Sequence, residues 1–343
     1  VVRPGQWLVL CGLLAAGCSA QSPSLRESAL QAVREAKWEE AEKWLPRALA
    51  AHPDDADLLY AAGAVAAQAG RGQEAFRQLY AAIAAREDFP AARLFLARLL
   101  VEMEGVGAAR RQVEEVLRRH PALAEALAAA ATLWADDAEQ VAAFWQRAAE
   151  SRPDQPEWRL GFAQALLAAN LLPEATRAFA SLVETNQVAL AAWTGLAETW
   201  LRRGNPDLQV RALTRAAGLP EAGLKVKAEL ARALLGHDDP DLNGQGGALL
   251  FALLDQAPED PELNFLAATL FDDAGAHEEA RLHYLTAIAN GCTNPRAGLY
   301  LGEAYAKTDE PGRAREVLAA VAEAEPENSP WRRHALTLLE KLP

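Results

Sequence analysis

The side chains best equipped for chemistry in this chain of 343 residues are six histidines, three cysteines and one short acidic stretch. His277-Glu278-Glu279-Ala280-Arg281 opens like the helix of a zinc protease. That chemistry needs two imidazoles one helical turn apart, and Arg281 occupies the place of the second. His277 and His283 fall on different faces of a helix. His52 and His120 each precede a proline, Pro53 and Pro121, at a loop entry. Cys292 lies in Gly291-Cys292-Thr293-Asn294 and reads as a small turn residue rather than a nucleophile. No phosphate-binding glycine loop, dinucleotide glycine run or Gly-x-Ser-x-Gly elbow is present. The expectation is a protein without catalytic residues, cofactor or small-molecule substrate.

Asp239-Pro240-Asp241-Leu242-Asn243-Gly244 has the alternating oxygen side chains and the glycine of a calcium loop. The twelfth position from Asp239 is Leu250, where a bidentate Glu belongs. Asp239, Asp241 and Asn243 therefore make only a weak calcium candidate. The preferred reading is an acidic loop between helices, with Asn243 capping the second of them.

The formal charge of −13, with no run of Lys or Arg standing against it, leaves a phosphate backbone without an electrostatic reason to bind, so nucleic acid is not an expected partner. Arg3, then the apolar run Trp7 to Leu14, then small residues follow the order of a secretory signal. The run is shorter than the roughly 20 apolar residues of a membrane span. Leu14-Ala15-Ala16-Gly17-Cys18 resembles the lipobox of bacterial lipoproteins, with Ala15 where Leu is commonest. The resemblance implies removal of residues 1–17, lipid on Cys18 and a polar tether over 18–24. Ser19 after the cysteine resembles the outer-membrane-bound class. Acyl chains contribute about 0.8 kcal/mol per buried methylene, which makes a membrane partner of the lipid itself.

These sparse reactive groups stand on elements that repeat. Ala, Leu, Glu and Arg dominate, and strand-favouring residues are few, so the chain reads as all-α. Ala41, Ala75 and Ala109 are 34 residues apart, as are Leu45, Leu79 and Val113, and Ala48, Ala82 and Val116. Trp193, Leu196-Ala197, Trp200 and Gly204 form one clear first helix. Ala267-Ala268, Phe271, Gly275, Ala280, Tyr284 and Ala287 form a full hairpin, as do Leu301-Gly302, Tyr305, Ala314, Leu318, Val321 and Pro326. This pattern resembles the tetratricopeptide repeat. The resemblance implies an α-solenoid, a right-handed superhelix of about nine helix hairpins over 25–328 with a C-terminal capping helix over 329–343. Small residues such as Gly63, Ala97 and Gly302 belong where paired helices cross closely, and no hairpin can bury its apolar face alone. Repeats should begin near Ser22, Ala56, Pro90, Ala124, Pro156, Leu190, Leu224, Pro261 and Pro295. The fourth is shortened around Asp136-Asp137, and the seventh is lengthened around 237–247.

In that family the first helix of each hairpin lines a concave groove that holds a protein or peptide. Carried over position by position, the groove residues are Tyr60, Gln68, Leu94, Phe95, Arg98, Glu102, Gln164, Glu198, Arg202, Arg232, Phe265, Arg296, Tyr300 and Lys307. Arg26 with Leu30, and Tyr60 with Ala64, stand where carboxylate-clamping members have Lys and Asn, so a carboxylate clamp is not supported. The expected function is that of an adaptor or scaffold, not an enzyme. It faces the periplasm from the outer membrane and serves envelope assembly, pili, or exopolysaccharide or protein secretion. A cytoplasmic scaffold with a mis-assigned start, and a regulator of an envelope enzyme, are the alternatives.

Overall fold

The computed structural model describes residues 24–342 with the exception of 187. Among them every regular element is an α-helix, nineteen in all, and the chain divides into two units, Val1–Asn170 and Leu171–Pro343. The first unit holds α1 (Leu25–Arg34), α2 (Trp38–Ala51), α3 (Ala56–Gln68), α4 (Gly72–Ala85), α5 (Pro90–Met103), α6 (Val106–Arg119), α7 (Ala124–Leu133), α8 (Ala138–Ser151) and α9 (Pro156–Ala168). The second holds α10 (Leu172–Glu184), α11 (Ala189–Arg202), α12 (Pro206–Ala217), α13 (Leu224–Leu235), α14 (Pro240–Gln256), α15 (Pro261–Asp273), α16 (His277–Ala289), α17 (Pro295–Lys307), α18 (Pro311–Ala324) and α19 (Pro330–Lys341).

Local chemistry sets the helix starts. The Ser24 hydroxyl accepts from the Glu27 N–H while the Glu27 carboxylate accepts from the Ser24 N–H, satisfying two otherwise orphaned donors of α1. Asp55, Asp260, Asn294 and Ser329 cap α3, α15, α17 and α19, and the last three helices carry proline in the first turn, where its missing N–H costs nothing. Within most hairpins the connecting turn needs one left-handed residue, supplied by Ala36, Gly70, Gly105, Asn170, Gly204, Gly275 and Asp309. Repeats four and seven have no such residue.

In the first unit α1 packs on α2, α3 on α4 and α5 on α6. The residues aligned by the sequence period, Ala41, Ala75 and Ala109 with Leu45, Leu79 and Val113, are all buried between them. Each leucine or valine so buried contributes about 1.5–3 kcal/mol. Gly63 lies beneath Leu79, where a Cβ would come within 2.9 Å of the Leu79 side chain. α8 packs more closely on α9 than on α7. There Gly161 sits under the Trp145 indole, 2.1 Å from where its Cβ would be, and Trp145 meets Trp158 at 5.9 Å.

In the second unit Gly195 sits under Phe179 and Gly302 under Leu318 in the same manner. The extra length of repeat seven is taken up in α14, a helix of 17 residues. α19 closes the unit. Ala335 is fully buried against α17 and α18, and Trp331, Leu338, Leu339 and Leu342 are half-buried in the same cluster as Leu299 and Leu318.

Candidate interaction surface

In the first unit the structure brings Tyr60 and Phe95 together. Their ring centroids lie 6.0 Å apart, and Phe89 joins at 5.2 Å from Tyr60. Phe95 and Leu94 are buried, so they form the wall rather than the exposed lining expected of them, because α5 turns them toward the hairpins on either side. Tyr60 is half-buried. Arg98 and Glu102 are exposed on α5, Gln68 is half-buried on α3 and Gln164 is exposed on α9.

Polar contacts that the sequence pattern missed hold this cluster. Arg26 reaches Asp55 at 2.6 Å and Asp57 at 2.9 Å, and Arg86 meets Asp57 at 3.0 Å while its guanidinium lies 4.5 Å from the Phe89 ring centre. Burial pushes the Asp55 carboxyl upward, but hydrogen bonds from Arg26 and the Leu58 N–H outweigh it and hold the group below the usual range. The signal was present, since each of the ion pairs joins residues nearly one repeat apart.

In the second unit most of the expected charged residues bridge helices. Glu198 and Arg202 pair one turn apart on α11 at 2.8 Å. Arg232 on α13 reaches Glu262 on α15 at 2.7 Å, and Lys307 on α17 reaches Asp272 on α15 at 2.9 Å. Asp272 also meets His277 at 2.6 Å. The Arg296 guanidinium lies 4.8 Å from the Trp331 ring centre, a contact with the last helix worth about 0.5–1 kcal/mol at an exposed site.

Phe265 and Tyr300 do come together, stacked at 6.4 Å with planes 8° apart. Tyr284 lies 6.0 Å from Phe265 and 6.1 Å from Tyr300. Phe265 is buried beneath its neighbours, and Tyr300 is half-buried. The Tyr284 hydroxyl is buried without a hydrogen-bond partner; burial first, and the nearby Asp272 carboxylate next, hold its ionisation above the ordinary range. Asn264, also missed, is buried and donates to the Pro258 and Asp260 carbonyls at 2.8 and 2.9 Å. Its Oδ1 is left to accept from His283 Nδ1 at 2.9 Å. Burial lowers the pKa of His283.

The acidic stretch is a helix start. Asp239 caps α14 by accepting from the Asp241 N–H, and Asn243, one turn inside, donates to the Leu235 carbonyl at 2.5 Å. The cap is thus Asp239 and not Asn243, because the helix begins at Pro240, four residues earlier than expected. Among the described residues no group of three or more His, Cys, Asp or Glu side chains is placed to hold a metal ion. Cys18 lies outside the described residues. No described helix is long and apolar enough to cross a membrane.

The sequence profile of the tetratricopeptide repeat matches residues 160–223, from α9 to the end of the turn after α12. No curated protein matches the chain. Among solved structures, YrrB, described as a tetratricopeptide protein with an unusual peptide-binding site, is 19% identical over 58% of this chain and 98% of its own, with a TM-score of 0.42. The Cut9-Hcn1 hetero-tetramer of APC/C is 16% identical over 92% and 77%, with a TM-score of 0.46. A tetratricopeptide repeat protein from Parabacteroides merdae is 17% identical over 82% and 97%, with a TM-score of 0.39. The chain is an all-helical repeat protein whose central residues, 160–223, match the tetratricopeptide repeat.

Proposed function

We propose that this chain is a scaffold that binds a protein or peptide against the first-helix faces of its hairpins. The observation that carries this reading is the setting of Tyr60 and Tyr300. Each is half-buried against a buried phenylalanine, so its ring is held in one place while part of it still meets solvent. Rigid amphipathic rings of this kind lose little entropy on binding and are frequent anchors. Arg98 and Glu102, exposed on α5, offer charges beside the first of them.

The cellular setting rests on sequence. Leu14 to Cys18 supports lipid on Cys18, an outer-membrane anchor and a periplasm-facing adaptor for envelope assembly, pili or secretion. Photo-crosslinkers placed in cells at Tyr60 and Tyr300 should capture partner protein that a crosslinker at Arg211, exposed on α12, does not. Equal capture from Arg211 counts against the first-helix face. Cys18→Ala should move the protein from the membrane fraction to the soluble one, and continued sedimentation with membranes counts against the anchor.

A further inference from the structure

The second helices of repeats one, two, three, five and nine share a register on their solvent faces, and α16 departs from them. Two residues after the alanine at the shared register of Ala41, Ala75, Ala109, Ala175 and Ala314, repeats one, two, three, five and nine place Lys43, Arg77, Arg111, Arg177 and Glu316, whereas α16, counted from Ala280, places Leu282. Five residues after it stand Pro46, Tyr80, Glu114, Ala180 and Ala319, against Leu285. Eight residues after it, Ile83 and Leu117 are 9% and 1% exposed, whereas Ile288 is 40% exposed. Leu282 is 59% exposed and Leu285 39%. Spaced three apart, these aliphatics make one stripe along a single helix face.

The exposed charges of the first turn of α16 are of one sign. Glu278 and Glu279 are exposed at its N-terminal end, and Asp273 is exposed at the end of α15 just before it. The basic side chains that α16 itself carries are engaged elsewhere, His277 with Asp272, Arg281 with Glu310 and His283 with Asn264. Carboxylates at one end and helix carbonyls at the other give the stripe a cation-attracting rim.

We infer that the solvent face of α16 docks an amphipathic helix of a partner protein, one whose aliphatic stripe is flanked by Lys or Arg. An anionic lipid surface is disfavoured by the carboxylates. This face is distinct from the first-helix faces of the proposed function, so the two readings fail separately.

The test uses the whole chain and two fluorescent helical peptides with leucines at i, i+3 and i+7, one flanked by lysines and its twin by glutamates. The lysine peptide should bind saturably and at least tenfold more tightly than its twin. Leu282→Ser with Leu285→Ser should weaken it at least tenfold, as should Glu278→Lys with Glu279→Lys. Arg77→Ser with Tyr80→Ser, at the equivalent places on α4, should change nothing. Thermal midpoints keep misfolded variants out of the comparison. The inference is overturned if the parent fails to bind the lysine peptide, if the twin binds equally, or if the leucine variants bind as the parent does. It is overturned as well if sedimentation shows a parent dimer that the leucine variants dissolve, since the occupant is then a second copy.

Discussion

Repeats three and eight are built on one spacing and end in different surfaces. In α6 the buried Val113 and Leu117 are matched by Arg111 and Glu114 facing water, so the helix is spent on its own solenoid. In α16 the core slot holds Tyr284 and the outer positions hold Leu282, Leu285 and Ile288, so large apolar side chains stand on both its inner and its outer face. The lesson is that the period fixes which residues face inward, while nothing in it constrains what faces outward. Information about partners therefore lies in departures from the repeat.

Four measurements break or sharpen this contrast, the first having the largest effect. Leu117→Ala should cost about 2–5 kcal/mol by denaturant unfolding, and Ile288→Ala at the equivalent position less than about 1 kcal/mol, because only the first opens a cavity. Similar losses at both would mean that α16 is covered after all. Gly161→Ala forces a methyl into the Trp145 ring and should cost about 1–3 kcal/mol, while Gly107→Ala on α6, with open space around it, should be neutral or stabilising.

Tyr284→Phe removes the stranded hydroxyl and should raise stability by about 1 kcal/mol, restoring the apolar chemistry that Leu79 and Phe179 have in that slot. A loss of stability instead would reveal a partner for the phenol. The smallest effect is a pH dependence. The folded-state pKa of His283 lies below its unfolded value, so the unfolded chain takes up the proton first. Its contribution should be complete above about pH 6.5 and decline as pH falls below that. His283→Gln should flatten the urea midpoint between pH 7.5 and 5.5, and an unchanged slope would remove this residue from the account.

Most helix starts were legible. Ala56, Pro90, Ala124, Pro156, Leu224, Pro261, Pro295 and Pro330 open helices where the repeat reading put them, since prolines and capping side chains act within one turn. The first helix starts at Leu25, inside the repeat start at Ser22, because Ser24 caps it, and α11 starts at Ala189 rather than Leu190. The surface was less legible. Phe95 and Phe265 occupy positions that line a groove when the next hairpin stands clear of them, and here neighbouring side chains close over them. Their fate depends on the sizes of residues a full repeat away, among them Tyr60 and Tyr300, which no local pattern reports. The division of the chain at Asn170 and Leu171 was likewise invisible, as the profile match over 160–223 runs straight through it.

The left-handed turn residue also acts as a ruler. Hairpins that carry it turn within two or three residues, whereas 134–137 and 236–239, which lack it, take four. Repeats four and seven lack it, and they are the two whose lengths have drifted, one shorter and one longer. The segments at 135–137 and 236–239 are accordingly the joints where a tag or a grafted loop can be spliced in while the hairpins on either side keep their stacking.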